Sequence, residues 1–124
     1  MARALPRISA DEAEGNRAEE VLRNSLAVQQ LRGIMTNLVG VERHREGLQQ
    51  ALRDIAVLEA QAEQVTTAYL NMTTSATMVA AAALKRTESR GGHFRTDFPE
   101  PDPRWEHHTE MTLGEALALR AASR

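Results

Sequence analysis

The sequence has no cysteine and very few aromatic residues: one tryptophan, one tyrosine and two phenylalanines among 124 residues. The lack of cysteine excludes disulfide bonds, a thiol nucleophile and a zinc ribbon. It also fits the reducing cytoplasm, where we expect the protein to reside. Because base-stacking platforms and aromatic ligand cages need several rings, the scarcity of rings argues against both kinds of site.

Strong net charge and long apolar runs are missing as well. A net charge of -2 gives no reason to expect a nucleic acid or a membrane surface as a partner. No run approaches the roughly 18 apolar residues of a membrane span, and the N-terminus lacks the apolar core of a signal peptide. With 42% hydrophobic and 26% charged residues, the chain is predicted to form one globular domain.

The feature that the sequence does have is helical periodicity. Residues 1–20 are polar, contain Pro6 and Gly15, and are predicted to be a linker or disordered arm. Three apolar stripes with spacings of three and four residues follow, and each is typical of an amphipathic helix. The stripes are Leu31, Ile34, Met35, Leu38 and Val39, ending at Gly40; Leu48, Leu52, Ile55, Leu58 and Ala62, following Gly47; and Val65, Tyr69, Met72, Ala76, Val79 and Ala83, in a helix from about 64 to 88.

Short connections between the stripes predict an all-α fold, an antiparallel three-helix bundle of the spectrin-repeat type over residues 21–92. The third helix contains the small-residue run TTSATMVAAAA, so we expect it to be central and buried on more than one side. Gly91 and Gly92 are predicted to close it.

The C-terminal part, residues 93–124, is predicted to be an extended tail. Pro99, Pro101 and Pro103 keep its first half out of a helix. Residues 113–122 have the composition of a short terminal helix but little to pack against, so we expect that helix to be short or frayed.

Charge is concentrated in RTESRGGHFRTDFPEPDPRW, residues 86–105. In an extended chain, alternation places His93, Arg95 and Asp97 on one side and Phe94 and Phe98 on the other. Three interpretations stay open: solvated charges that cap one another, a docking strip for another domain, or an active site or anion pocket. No nucleophile, paired acid and base, or phosphate loop supports the third.

Metal binding has little support in the same segment. His93, His107, His108 and Asp97 are the available ligands, but they lack any standard ligand spacing. We therefore predict no metal site.

The segment contains a long motif, E-S-R-G-x-H-x-R-x-D-x-P, followed by W-x-x-H. The motif falls on Glu88, Ser89, Arg90, Gly91, His93, Arg95, Asp97 and Pro99, then Trp105 and His108. An upstream element, LRGIMTNLVGVERHREGL, supplies Leu31, Arg32, Met35, Val39, Gly40, Val41, Arg43, Gly47 and Leu48. With these residues the chain resembles the C-terminal domain of the succinate dehydrogenase/fumarate reductase flavoprotein family. It is most similar to the L-aspartate oxidase branch, since the succinate enzymes more often have alanine at the Gly92 position.

The resemblance implies an FAD-binding domain upstream in the same enzyme, which is the partner that we expect. No G-x-G-x-x-G fingerprint occurs here, so we assign no catalytic, cofactor-binding or metal residue to this chain and do not expect it to be an enzyme alone. The implied parent reaction transfers hydride from L-aspartate to FAD. Its product, iminoaspartate, is used by quinolinate synthase in NAD biosynthesis.

The resemblance also suggests a role for the charged segment as the contact strip between the helical domain and the FAD-binding domain. The expected interface residues are Arg86, Glu88, Arg90, His93, Arg95, Asp97, Trp105 and His108. In the isolated chain we expect these groups to be solvated or in crystal contacts and the tail to be mobile. An uncovered apolar patch would favour self-association. The alternatives are a C-terminal domain of a succinate dehydrogenase/fumarate reductase flavoprotein, an independent helical adaptor, and a small metal- or anion-dependent enzyme.

Overall fold

The computed structural model describes residues 26–40, 42–62 and 66–123, so the predicted arm over residues 1–20 lies outside it. Within the described part the regular elements are helices: α1 over residues 26–38, α2 (Arg45–Gln61), α3 (Thr67–Lys85), a short 3-10 helix (Pro103–Trp105) and α4 (Leu113–Ala122). Only isolated β-bridges accompany these helices, and no strand forms among the described residues. The predicted all-α class is confirmed.

The core lies between the helices, in two apolar clusters. Leu31 of α1 packs with Ile55 and Ala76. Val39, just after α1, belongs to a second cluster with residues from the start of α2 and the end of α3, namely Leu48, Ala51, Leu52, Ala80, Ala81 and Ala83. Because the late part of α2 pairs with earlier parts of α1 and α3, α2 runs antiparallel to both.

Small side chains allow α3 to pack closely against its neighbours. Thr73 and Thr77 are fully buried, and their hydroxyls donate to the carbonyls of Leu70 and Thr73 at 3.0 and 2.8 Å. Each polar atom is thereby satisfied within the helix itself. The helix contacts α2 and α4 and shares core residues with α1, which agrees with the expected central position. One of its faces, with Met72 and Val79, is exposed.

The C-terminal segment differs from the tail that the sequence predicted. The Thr112 hydroxyl accepts from the Glu115 amide at 3.1 Å, and the Glu115 carboxylate accepts from the Thr112 amide, so a capping box starts α4. Ala116 is fully buried in the main core cluster. Arg120 pairs with Glu59 at 3.0 Å. The expectation that this segment has little to pack against was wrong, and the three-helix bundle with an extended tail is not confirmed in that form.

Two helix ends also differ from the predicted positions. Helix α2 begins at Arg45, ahead of Gly47, which is buried beside the His44 ring. Helix α3 ends at Lys85 rather than near residue 88, and Gly91 with φ +57° belongs to a separate turn. The earlier end of α3 exposes carbonyls that another part of the chain must satisfy.

No helix in the described ranges is both long and apolar enough to cross a membrane.

Candidate functional site at the end of helix α3

Arg95 closes the C-terminus of α3. Its side chain is completely buried, and one terminal nitrogen donates to the carbonyls of Ala83 and Leu84 at 3.0 and 2.9 Å. These carbonyls have no partner in the helix, and a cation is favoured at the negative end of the helix dipole. Arg95 therefore caps α3, which corrects the expectation that it would be solvated in the isolated chain.

Asp97 holds Arg95 in place and connects it to α2. The carboxylate accepts from Nε and Nη2 of Arg95 at 2.8 and 2.7 Å and from the Arg45 amide at 3.2 Å. The hydrogen bond from Arg95 is the main reason that the pKa of Asp97 falls to about 2, against an opposing effect of burial. The ionised pair thus connects the last turn of α3 to the first residue of α2.

Glu88 is a second buried charge in this region. It has no exposed surface, and its carboxylate lies 3.1 Å from Nε of Arg86 and 3.1 Å from Nε of Arg90. It also accepts from the Asp102 amide at 2.8 Å. The hydrogen bond from Arg90 is the largest effect that lowers the pKa of Glu88, and burial opposes it. Glu88 is therefore paired within the chain, which corrects the expectation that it would be solvated.

His93 bridges the end of α3 and the connection between α1 and α2. Its Nδ1 lies 2.8 Å from a guanidinium nitrogen of Arg43, and its Nε2 lies 3.0 Å from the Arg86 carbonyl. Because a guanidinium can only donate, Nδ1 accepts and Nε2 carries the proton. Burial is the first cause that lowers the pKa of His93, and the charges of Arg43, Arg95 and Arg86 act in the same direction, while the hydrogen bond to the Arg86 carbonyl raises it.

Arg43 was missing from the predicted interface set, although it belongs to the upstream element of the resemblance. Besides contacting His93, it donates from Nε to the Val39 carbonyl at 3.0 Å. Its amide donates to the Phe94 carbonyl at 3.0 Å, and its carbonyl accepts from the Thr96 amide at 2.7 Å. The segment is therefore joined to the chain ahead of α2 as well as to α3.

Trp105 anchors the far end of the segment just beyond the C-terminus of α3. Its indole nitrogen donates to the Thr87 hydroxyl at 3.1 Å. The Arg86 guanidinium lies 5.3 Å from the ring centroid, within cation–π range. Arg86 also donates to the carbonyls of Trp105 and His107, both at 2.8 Å. These contacts fold the proline-containing stretch back over the end of the helix.

The expected interface residues thus form three groups by exposure. Glu88 and Arg95 face inward, whereas Arg86, His93 and Trp105 are partly buried in the same network. The exposed members are Arg90, Asp97 and His108, and the structure places His108 apart from the network, at the rim of an open cleft lined by Lys85, Trp105 and Glu115. Phe94, on the side predicted to be apolar, is 39% exposed.

The buried polar groups of the charged segment are paired within the chain. In the ranges that the structure covers, every buried side-chain nitrogen or oxygen has a hydrogen-bond partner. The same residues contain no cluster of three histidine, cysteine or acidic side chains that could hold a metal ion. A network whose buried polar atoms all have partners fixes the shape of the segment.

Comparison with known proteins identifies the domain. Residues 66–121, which span α3, the charged segment and most of α4, match the family model described as "Fumarate reductase flavoprotein C-term". The chain carries the C-terminal domain of this flavoprotein family. It is 38% identical over 109 residues to an L-aspartate oxidase of Rhodospirillum rubrum, a match that covers 77% of this chain and 39% of that protein.

Two further relatives of the flavoprotein C-terminal domain show its range. An L-aspartate oxidase of Caulobacter vibrioides is 43% identical over 77 residues, covering 62% of this chain and 14% of that protein. A fumarate reductase (CoM/CoB) subunit from Methanothermobacter marburgensis is 54% identical over 35 residues, covering 28% and 6%. The chain therefore spans only the smaller part of each relative. No solved structure matches it significantly.

Proposed function

We propose that the chain is the non-catalytic C-terminal helical domain of a flavin-dependent L-aspartate oxidase and packs against the FAD-binding domain of that enzyme. The observation that carries the proposal is the family match over residues 66–121, together with the long matches to L-aspartate oxidases. In this proposal the enzyme acts in the cytoplasm and supplies iminoaspartate to quinolinate synthase for NAD biosynthesis.

The described residues offer FAD no site of their own. A dinucleotide is held by a strand, a glycine-rich turn and a helix, whereas Gly91 and Gly92 join two isolated bridging residues, Arg90 and His93. In this proposal the partner domain holds FAD, which would supply the hydride acceptor for the oxidation of L-aspartate at its α-carbon. No residue of this chain receives a catalytic role.

The contribution of this chain is a rigid contact surface. Arg90, Trp105 and His108 have exposed atoms that can contact the partner directly. Glu88 and Arg95 act from beneath by fixing the backbone that carries them. A pre-organised surface binds more tightly because it loses less freedom on docking.

The test uses a probe: the L-aspartate oxidase of Caulobacter vibrioides without the segment that matches this chain, accepted only when the purified probe retains its yellow flavin. Calorimetric titration with the 124-residue chain should give saturable binding, and the chain alone should take up no added FAD. A chain that binds FAD by itself, or fails to bind the flavin-loaded probe, would contradict the proposal.

The fumarate reductase relative supports a second candidate, a C-terminal domain of a succinate dehydrogenase/fumarate reductase flavoprotein. The complex with the probe separates the candidates through its substrate: the first predicts that L-aspartate bleaches the flavin faster once the chain is bound. If binding leaves the L-aspartate rate unchanged while a flavin-loaded fumarate reductase flavoprotein binds the chain more tightly, the second candidate replaces the first.

A further inference from the structure

We propose that the groove between α1 and α3 is the surface on which the FAD-binding domain docks, and that the partner covers it with apolar side chains and a carboxylate. The groove has a volume of about 600 Å³. Its apolar lining comes from both helices, chiefly Leu31, Met35, Met72, Ala76 and Val79. The inference rests on the proposed function and deepens it by naming the contact surface and the chemistry of the partner.

Helices α1 and α3 differ from the rest of the bundle because they carry almost no charge. Arg32 is the one charged residue of α1, and Lys85, the last residue of α3, is the one charged residue of that helix. Helix α2, of similar length, carries Arg45, Glu46, Arg53, Asp54 and Glu59. Because a helix that faces water ordinarily has charged residues on its outer face, the composition of α1 and α3 is that of helices covered on both sides.

The outer face of α3 has the spacing of a helix-packing surface. Four residues are exposed at intervals of four, three and four, namely Ala68, Met72, Ser75 and Val79. This is the spacing at which the side chains of one helix interlock with those of another. Met72 and Val79 are 37% and 47% exposed, and the small side chains that alternate with them leave room for a partner's side chains. Exposed apolar surface of this kind marks an interaction site.

Arg32 distinguishes a second copy of the chain from a different partner. It is exposed and lines the groove. In a symmetric dimer the same face would lie on both sides of the contact, and neither α1 nor α3 contains an acidic residue. Such a contact would cover Arg32 without a carboxylate, and an unpaired charge is costly to bury. The face therefore suits a different partner, one with a carboxylate opposite Arg32.

The FAD-binding domain is the partner that the relatives supply. The matches cover only 39% of the Rhodospirillum rubrum protein and 14% of the Caulobacter vibrioides protein, and the matched family is a C-terminal domain. Most of the flavoprotein therefore lies outside this domain. The groove also leads toward the charged segment, since Arg43, beyond the end of α1, bonds to Phe94, and Arg95 caps α3. One partner can thus contact both surfaces.

The experiment titrates variants of the full 124-residue chain into the flavin-loaded probe defined above. Val79→Glu should raise Kd by at least about tenfold, because apolar groups would cover the new carboxylate and the partner's carboxylate would repel it. Val57→Glu is the matched control and should bind like the wild type. Val57 is 48% exposed, against 47% for Val79, but lies on α2, beside a second apolar groove that α2 forms with α4.

Thermal unfolding shows whether these variants fold. Both should unfold near the wild-type temperature, because both valines are exposed and glutamate is the better helix former. If Val79→Glu is destabilised, Ser75→Glu takes its place, since Ser75 is exposed and lines the same groove. It should raise Kd in the same way.

Variants of Arg32 test the chemistry of the partner. Arg32→Glu should raise Kd by at least about tenfold, because it places two carboxylates opposite each other. Arg32→Lys keeps the positive charge and should bind nearly as tightly as the wild type. A folded Arg32→Glu variant that binds normally would contradict the carboxylate in the proposed partner surface.

The remaining outcomes count against the inference in different ways. Normal binding by a folded Val79→Glu variant overturns it, and so does an equal loss of binding in Val57→Glu. If Val57→Glu alone weakens binding, the partner covers α2 and α4, and the proposed function survives without this inference. If the chain sediments as a dimer that Val79→Glu dissociates while binding to the probe is unchanged, a second copy covers the groove. If the wild-type chain fails to bind the probe, the proposed function itself fails.

Discussion

Arg95 and Asp97 form an ion pair of 2.7 Å in which the arginine side chain is wholly buried. Arg104 and Asp102 form a second pair of the same length, but the Arg104 side chain is 86% exposed. In both pairs the partners are two residues apart in the sequence. The chain therefore contains its own comparison between a buried and an exposed arginine–aspartate pair.

This comparison gives the first prediction. Arg95→Met should lower the free energy of unfolding by about 3 kcal/mol, because it leaves the carbonyls at the end of α3 and the Asp97 carboxylate without their partner. Arg104→Met should lower the free energy of unfolding far less, as exposed ion pairs contribute little. Urea unfolding followed by circular dichroism measures both values. Equal costs for the two variants would mean that Arg95 does not cap α3.

The second prediction concerns stability at acid pH. The pKa of Asp97 in the fold is about 2, below its ordinary value of 3.8, so folding favours the ionised form. Its contribution to the free energy of unfolding is complete above the pKa of Asp97 in the unfolded chain. It is lost as the pH falls through the pKa in the folded chain, between about pH 5 and pH 2. Because Asp97 is partly exposed and solvent screens its charge, we expect the ionised carboxylate to contribute about 1 kcal/mol to the free energy of unfolding.

The measurement is urea unfolding of wild type and Asp97→Asn across that pH range. The difference in unfolding free energy should shrink steadily as the pH falls. Repeating the comparison in an Arg95→Met background tests the cause, since the pH-dependent difference should nearly vanish without the guanidinium. A difference in unfolding free energy that stays constant from pH 6 to pH 2 would show that the Arg95–Asp97 pair is not the source of this pH dependence.

The helical part of this fold was predictable from the sequence, and the charged segment was not. Apolar periodicity in α1, α2 and α3 states directly which face is buried. Helix α4 was underestimated because Ala116, its one fully buried hydrophobic residue, gives a weak signal, although the Thr112–Glu115 capping box was readable. A sequence does not show which backbone carbonyls lack a partner. The burial of an arginine against the carbonyls of Ala83 and Leu84 therefore could not be predicted.

The third prediction is the protonation state of His93. The contacts with Arg43 and the Arg86 carbonyl require a neutral ring with its proton on Nε2, and the pKa should lie below the ordinary 6.5, with burial as the main cause. Since folding favours the neutral form, the stability contribution is present above the unfolded pKa and is lost as the pH falls through the folded pKa. Nitrogen NMR of the imidazole reports both the tautomer and the pKa.

Arg43→Met provides the control for His93. Removing this guanidinium should raise the pKa of His93, because the positive charge of Arg43 no longer disfavours the protonated ring. The proton on Nε2 should remain, since it still donates to the Arg86 carbonyl. A ring that is protonated on Nδ1 in the wild type would show that the bridge between Arg43 and the end of α3 does not form.

The last prediction uses Trp105 as a reporter, since it is the single tryptophan of the sequence. Arg86 contacts its ring and its carbonyl and also pairs with buried Glu88. Arg86→Met removes all three contacts, so Trp105 should detach from Thr87, its emission should shift to longer wavelength, and acrylamide should quench it more strongly. Arg86→Lys keeps the charge near Glu88 but lacks the planar fork that reaches two carbonyls at once, and it should give an intermediate quenching constant.

Stability should follow the same order. The methionine variant should lose about 2 kcal/mol of unfolding free energy, because Glu88 then keeps only Arg90 as a charged partner. If quenching is the same in all three proteins, the anchor is Thr87 alone and Arg86 serves Glu88 only.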